Sequence, residues 1–308
     1  MRLFDLHCDT IVLLCDRKED FYCRDTQFSL ADLDKFQCLC QTMAVFVPDT
    51  CPKGGGKAYT DRYLDYLEEL AVLQGDIAGL AESAADIEAL TKKGKCALIR
   101  SIESGRALDG DLENVSHFAG RGVKIMTLVW NGENELGSGN SANGGLTSFG
   151  RQVIRKMEEV HMIIDASHLN DPGFDDLCSA TDGPFIATHS NLRSVCPHKR
   201  NLKDWQFQEI VRRGGLVGVN LYRHFLGEDG SRCLDQVYRH VSHMLELGGE
   251  DVIACGSDFD GAEISPDLNS PFKLGAAAAY LLSHGISQAV IDKMYFDNAM
   301  AFLKRTEA

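Results

Sequence analysis

Short apolar segments alternate with longer amphipathic segments along the whole chain. Eight short segments are rich in β-branched and other apolar residues, as is typical of buried strands: 3–9, 41–47, 96–103, 123–129, 162–167, 184–189, 216–221 and 252–258. Segments with helical periodicity follow at 61–75, 83–93, 147–161, 202–213 and 234–247, and two more close the chain at 274–284 and 287–305. Strands that alternate with helices in this way predict a parallel sheet built from repeated βα units.

Eight such units in 308 residues predict an α/β fold, a closed (β/α)8 TIM barrel, as a single domain over residues 1–308. A doubly wound open sheet is the alternative. It is disfavoured because no Gly-x-Gly-x-x-Gly turn follows the first strand, and because polar residues follow many strands rather than one switch point. Two glycine-containing loops, 48–57 and 131–145, are expected on the face that carries those polar residues, as substrate walls or lids.

Side chains that bind metal ions stand at the ends of five predicted strands. The carboxyl ends of all strands in such a barrel meet at one face, so residues that are remote in sequence can surround one or two ions there. His7 and Asp9 are two residues apart, a spacing that points both side chains to the same side of a strand. Glu103 has two carboxylate oxygens that could bridge two cations. The full set is His7, Asp9, Glu103, His168, His189 and Asp258.

The chemistry of this set indicates a metallohydrolase. Imidazole together with carboxylate favours zinc, with cobalt or manganese as substitutes. Two ions about 3.5–4 Å apart would polarise a carbonyl and lower the pKa of a bridging water from about 16 toward neutrality. Asp258 could take the proton of that water and pass it to a leaving amine. Asp258 is preferred to Asp260 for this role because it closes the predicted strand, whereas Asp260 is expected to brace the following turn.

Composition and charge exclude several classes of partner. The chain has 31 basic and 45 acidic residues, and its formal charge of −14 disfavours nucleic acid and anionic membranes as partners. A small, diffusing substrate fits better. No apolar run reaches the roughly 18–20 residues that cross a bilayer, and the first residues lack the pattern of a signal peptide. Eleven cysteines, an odd number, are expected as reduced thiols, so the predicted location is cytoplasmic.

The same residues resemble the motif set of the membrane (renal-type) dipeptidases, peptidase family M19, over nearly the whole chain. The resemblance implies two zinc ions per chain. It assigns His7 and Asp9 to the first ion, Glu103 to the bridge between the ions, and His168 and His189 to the second ion. It further implies that a metal-bridging hydroxide hydrolyses the peptide bond of a dipeptide, with L,D-dipeptides among the expected substrates.

The resemblance also implies a catalytic aspartate and substrate contacts. Asp258 falls on the family's catalytic aspartate in the motif Gly-Ser-Asp-Phe-Asp-Gly. Arg200 matches the arginine of the family's His-Ser and Arg-Asn motifs, which would bind the substrate's terminal carboxylate as a bidentate pair. Tyr222 matches a tyrosine that lines the pocket. The chain departs from the mammalian members at Trp130, where they carry a histidine that contacts the substrate, so Trp130 is an expected but altered substrate contact.

Two other interpretations compete with a dipeptidase. A different amidohydrolase-type enzyme would open a lactone, a β-lactam or a cyclic amide, but such enzymes typically begin with His-x-His, and here Asp9 holds the second position. A barrel that has lost its chemistry would lack ligands, whereas all six positions are filled. Family members often dimerise, so a homodimer is a further expectation. His240 and His243, one turn apart on a predicted helix, are expected to be surface residues despite their metal-like spacing.

Overall fold

The computed structural model describes residues 1–228 and 230–307, and a curled parallel sheet forms its centre. The strands are β1 (Arg2–Cys8), β2 (Cys38–Phe46), β3 (Ala78–Leu80), β4 (Cys96–Glu103), β5 (Val123–Thr127), β6 (Ile163–Asp165), β7 (Val217–Val219) and β8 (Ile253–Cys255). Their order in the sheet is β6-β5-β4-β2-β1-β8-β7, and β3 pairs with the first residues of β4. Each of these pairings is parallel.

Residues 186–187 close the sheet into a barrel between β6 and β7. Ile186 forms a parallel bridge with Asp165, and Ala187 forms one with Val217. This segment takes the sixth of eight positions around the barrel, so the predicted (β/α)8 TIM barrel is confirmed. The expectation of a regular strand over 184–189 is wrong. The backbone N–H of Thr188 donates to Asp165 Oδ1 rather than to a backbone carbonyl, which ends the ladder after two bridges.

Helices surround the sheet and fill the connections between strands. The α-helices are α1 (Thr10–Arg17), α2 (Gly56–Leu73), α3 (Ala84–Thr91), α4 (Glu113–Gly120), α5 (Ser148–Glu159), α6 (Asp171–Ala180), α7 (Asp204–Arg213), α8 (Arg223–Leu226), α9 (Cys233–Glu246), α10 (Leu274–Ser283), α11 (Gln288–Asp292) and α12 (Asn298–Thr306). Short 3-10 helices lie at Leu30–Lys35, Gly105–Leu108 and Pro271–Lys273, and a π-helical turn, Lys293–Asp297, joins α11 to α12. The longer helices match the predicted segments. Helices α1, α4, α6 and α8 and the strand β3 lie outside the predicted segments.

Buried hydrogen bonds hold the end of β8 against β1. The carboxylate of Asp5, which is fully buried in β1, accepts hydrogen bonds from the backbone N–H and the hydroxyl of Ser257 and from the Nε2 amide of Gln41. The N–H of Asp258 donates to the carbonyl of His7 at 3.2 Å. These contacts fix the loop after β8 directly beside the end of β1. No helix within residues 1–228 and 230–307 is both long and apolar enough to span a bilayer.

His240 is fully buried in α9, so its expected surface position is wrong. The N–H of Leu192 donates to its Nδ1 at 3.2 Å, and its Nε2 lies 3.1 Å from the carbonyl oxygen of Leu226. Burial lowers the pKa of His240 to about 4. His243, one turn away, is partly exposed, and its imidazole contacts Glu246 and Asp204, which together raise its pKa. Both histidines therefore have structural roles.

The opposite pKa shifts of His240 and His243 predict opposite changes of stability with pH. A base whose folded-state pKa is lowered stabilises the fold above its unfolded pKa, and that contribution is lost as the pH falls. Between about pH 7.5 and about pH 5, we expect the difference in unfolding free energy between the wild type and His240→Leu to shrink by about 2 kcal/mol. A raised pKa has the opposite sign, so the difference for the matched variant His243→Leu should grow over the same interval. Urea unfolding of the metal-free proteins measures both differences, and a constant difference for His240→Leu would contradict the assignment.

Candidate metal centre

The six predicted metal-site residues meet at the carboxyl end of the barrel. His7 lies within β1, and Asp9 follows that strand directly as the residue before α1. Glu103 is the last residue of β4. His168 and Asp258 each lie three residues beyond the end of a strand, after β6 and β8, and His189 follows the bridges that close the barrel. The side chains of all six are buried, and the most exposed of them, Asp258, is 13% exposed.

Left-handed backbone conformations occur at two of these residues and directly after a third. His168 has a φ of 70°, Asp258 has a φ of 64°, and Ser104, which follows Glu103, has a φ of 92°. Such conformations cost a residue other than glycine about 1–3 kcal/mol, so they persist only where the surroundings impose them. The predicted strand ends are also corrected. β6 and β8 end earlier than expected, so Asp258 lies in the loop after its strand.

The carboxylate of Glu103 lies between two groups of ligands. Its Oε2 is 3.5 Å from Nε2 of His7, whereas its Oε1 is 2.8 Å from Nε2 of His168 and 3.7 Å from Nε2 of His189. Nε2 of His7 is also 3.5 Å from Oδ2 of Asp9. Three overlapping groups have ligand atoms within 4.8 Å of one another: His7, Asp9 and Glu103; Glu103, His168 and His189; and His7, His189 and Asp258.

Buried atoms without hydrogen-bond partners show that this cluster fits a cation. Within the described part of the chain, Nε2 of His7 and Oδ1 of Asp9 are buried and have no partner. Nδ1 of His168 faces Oδ1 of Asn131 at 3.1 Å, and an amide oxygen can only accept. This contact favours the form of His168 that carries its proton on Nδ1. The lone pair of Nε2 then faces Oε1 of Glu103 at 2.8 Å, and two acceptors at this distance repel unless a cation lies between them.

The charges in the cluster also favour a bound cation. Burial raises the pKa of Asp9 and of Asp258. Burial lowers the pKa of His168 to about 4, and it lowers that of His189 well below the usual range. Burial acts in the same direction on His7, but the carboxylates of Asp9 and Glu103 outweigh it and raise the pKa of that imidazole well above its usual value. A divalent ion would offset the cost of holding these carboxylates without water.

A cavity of about 480 Å³ opens directly over the cluster. Its lining combines apolar walls with acidic residues: Asp9, Val12, Leu13, Phe46, Glu103, Trp130, Asn131, His168, Tyr222, Phe225, Asp258, Asp260, Gly261, Ala262 and Glu263. The structure thus brings the predicted residues Trp130 and Tyr222 to the cavity wall. The ring of Phe46 packs edge-on against Trp130, with 4.8 Å between the ring centroids. The cavity has room for a molecule of about two amino acids, and Asp9, Glu103, His168 and Asp258 of the cluster form part of its lining.

Arg200 is buried beside the cavity. Its guanidinium donates to the hydroxyl of Ser190 at 2.9 Å and to the carbonyl of His189 at 3.0 Å. The guanidinium carbon is 5.9 Å from the ring centroid of Phe225, which does line the cavity. Nε of Arg200 is buried without a partner in the described chain. Burial lowers the pKa of Arg200, and the carboxylates of Asp258, Asp165 and Glu103 oppose this effect.

Several residues that shape the site were not predicted from the sequence. Phe46 and Phe225 line the cavity, but each resembles any other apolar residue near the end of an element. Asn131, next to Trp130, orients His168, and no pattern distinguishes it from the other polar residues of its loop. Asp165 accepts a hydrogen bond from the hydroxyl of Thr188, next to His189. It could have been found in the sequence, because a carboxylate within the apolar run Ile-Ile-Asp-Ala requires buried partners.

The barrel and the buried cluster define a TIM-barrel hydrolase of the metal-dependent type. The family model for membrane dipeptidase, peptidase family M19, matches residues 1–308. The chain therefore belongs to this family of metallodipeptidases, which hydrolyse peptide bonds, and the resemblance seen in the sequence is confirmed.

Individual relatives agree with the family assignment. A metallopeptidase from Rhodobacter sphaeroides, solved with a phosphinate mimic of the dipeptide L-Ala-D-Ala, is 26% identical, with a TM-score of 0.89 and 99% of each chain covered. The dipeptidase AC structure of family M19 is also 26% identical, with a TM-score of 0.92 over 99% of this chain and 98% of that one. An uncharacterised protein from the pqqA 5′ region of Klebsiella pneumoniae is 35% identical over 77% of this chain and 94% of its own length.

Proposed function

We propose that the chain is a binuclear zinc dipeptidase whose single domain spans residues 1–308. His7 and Asp9 would hold one ion, His168 and His189 would hold the other, and Glu103 would bridge the two. The main support is the position of Glu103, whose two oxygens face different ligands, His7 on one side and His168 with His189 on the other. Cobalt or manganese could occupy the same ligand set.

Asp258 is the proposed carrier of the proton. When bound, two ions would polarise the scissile carbonyl and acidify a water held at the cluster. Oδ1 of Asp258 faces the cluster, 3.9 Å from Nε2 of His7, and its Oδ2 accepts a hydrogen bond from Nδ2 of Asn220 at 3.0 Å. Burial raises the pKa of Asp258 above its ordinary value, which favours proton transfer to this carboxylate and from it to the leaving amine.

The proposed substrate is a small dipeptide bound in the cavity over the cluster. Arg200 would bind its terminal carboxylate by turning from Ser190, while Trp130 and Tyr222 would form the walls around its side chains. The relative with the L-Ala-D-Ala mimic supports L,D-dipeptides as substrates. Five carboxylates in the cavity lining disfavour polyanionic ligands such as nucleic acid.

A panel of dipeptides, each with a free or amidated C-terminus, tests this function. With zinc supplied, we expect the wild type to hydrolyse free dipeptides, and we expect Arg200→Ala to raise KM for them by about 10²-fold, since a charge-assisted pair is worth about 1.5–3 kcal/mol. The amidated dipeptides provide the control within the same variant, because they lack the carboxylate and should lose little. Equal losses on both series would contradict a carboxylate contact. Turnover of lactones, β-lactams or cyclic amides without any dipeptide would favour the amidohydrolase alternative.

A further inference from the structure

The hydroxyl of Thr188 connects the buried carboxylate of Asp165 to the imidazole of His189. Oγ1 of Thr188 is 2.6 Å from Oδ2 of Asp165 and 2.8 Å from Nδ1 of His189. All three side chains are buried, and Asp165 is completely inaccessible to solvent. Neither Asp165 nor Thr188 belongs to the groups of ligand atoms described above, so the dipeptidase chemistry leaves the purpose of this chain of contacts unexplained.

The hydrogen bonds around Asp165 determine which way the Thr188 hydroxyl points. Oδ1 of Asp165 accepts from the backbone N–H groups of Ser167 and Thr188, both at 2.9 Å. Its Oδ2 accepts from the hydroxyl of Thr127 at 2.6 Å as well as from Thr188. An ionised carboxylate can only accept, so the single proton of Thr188 points to Asp165, and its lone pairs point away.

We infer that Asp165 and Thr188 form a positioning pair that fixes the tautomer of His189. The lone pair of the Thr188 oxygen accepts a hydrogen bond from Nδ1 of His189, so the imidazole must carry its proton there. Nε2 then presents a lone pair to the cluster, as a metal ligand requires. This inference rests on the proposed role of His189 as a ligand.

The alternative tautomer of His189 would prevent metal binding. Nε2 of His189 is 2.9 Å from Nε2 of His168 and 3.7 Å from Oε1 of Glu103. With its proton on Nε2, His189 could donate to His168, and both nitrogens would be unavailable to an ion. Thr188 holds the proton of His189 on Nδ1, and Asn131 holds the proton of His168 on Nδ1. The lone pairs of the two Nε2 atoms therefore face each other across 2.9 Å. Such a pair repels until a cation lies beside it, so the site is prepared for metal.

Three variants separate positioning from simple packing. Thr188→Val keeps the branched shape but removes the acceptor, and Thr188→Ser restores the hydroxyl. Thr127→Val is the matched control, because it removes a donor to the same oxygen of Asp165 without touching an imidazole. Two measurements apply to each variant: the affinity for zinc in competition with a chelator, and the tautomer of His189 from imidazole ¹⁵N shifts in the metal-free protein.

We expect Thr188→Val to lower the affinity of one zinc by about 10- to 100-fold and to shift His189 away from the Nδ1-protonated form. Thr188→Ser and Thr127→Val should stay within about threefold of the wild type in affinity and should keep its tautomer. Wild-type affinity and tautomer in Thr188→Val would overturn the inference, and so would an equal loss in Thr127→Val. If the wild type itself binds fewer than two ions, the proposed binuclear function fails, whereas the tautomer measurement still decides the role of Thr188.

Discussion

Asp258→Asn should lower turnover severely while the protein keeps its metal. Asparagine has nearly the same shape and can still accept from Asn220, but it cannot take a proton from water or return one to the leaving amine. Loss of a general acid–base typically lowers kcat by about 10²- to 10⁴-fold, and we expect a loss in this range with KM changed much less. Steady-state kinetics on a dipeptide, together with metal analysis of the same sample, provide the measurement.

Asp260→Asn is the matched comparison for this variant. Asp260 lies two residues further on and also lines the cavity, but its carboxylate accepts from the hydroxyl of Thr10 and from the N–H of Gln27. Asp260 therefore stabilises the loop around residue 27 rather than the turn that follows Asp260. We expect Asp260→Asn to lower the free energy of unfolding by about 1–2 kcal/mol. A wild-type kcat in Asp258→Asn, or an equal kinetic loss in Asp260→Asn, would contradict the assignment of Asp258 as proton carrier.

Glu103→Gln should lose both metal and activity. The neutral amide presents one oxygen and one nitrogen that carries hydrogens, so it cannot offer an anionic oxygen to His7's side and to His168's side at once. We expect zinc content to fall from two ions per chain to one or fewer at micromolar free zinc, with a fall in kcat/KM of more than about 10³-fold.

Asp5→Asn controls for the loss of a buried negative charge. Asp5 is two residues from His7 and fully buried, but its carboxylate bonds to Ser257 and Gln41 rather than to the cluster. We expect folded Asp5→Asn to retain two ions per chain, even where its stability is lower than that of the wild type. Two fully occupied ions in Glu103→Gln would show that the carboxylate does not bridge.

The sequence was sufficient for the barrel and for the composition of the cluster. Alternation of apolar and amphipathic segments predicts repeated βα units, and the carboxyl ends of parallel strands must share one face. His7, Glu103 and His189 could therefore be placed together although they lie in three distant segments of the chain. That inference needs only the type of each element and the residue at its end, which are the features that local patterns determine best.

Features that depend on contacts between distant segments could not be predicted. The segment 186–187 closes the barrel with two bridges because Asp165 captures the N–H of Thr188, a contact invisible in either segment alone. The left-handed conformation of Asp258 depends on the fit of its loop against β1. The burial of His240 likewise depends on partners in loops far along the chain.

The arrangement of ions around Glu103 is tested most directly by anomalous diffraction at the zinc edge from crystals grown with zinc. We expect two peaks about 3.5–4 Å apart, one beside His7 and Asp9 and one beside His168 and His189, with Glu103 in contact with both. A single peak, peaks away from these side chains, or a Glu103 carboxylate that contacts only one ion would contradict a binuclear centre.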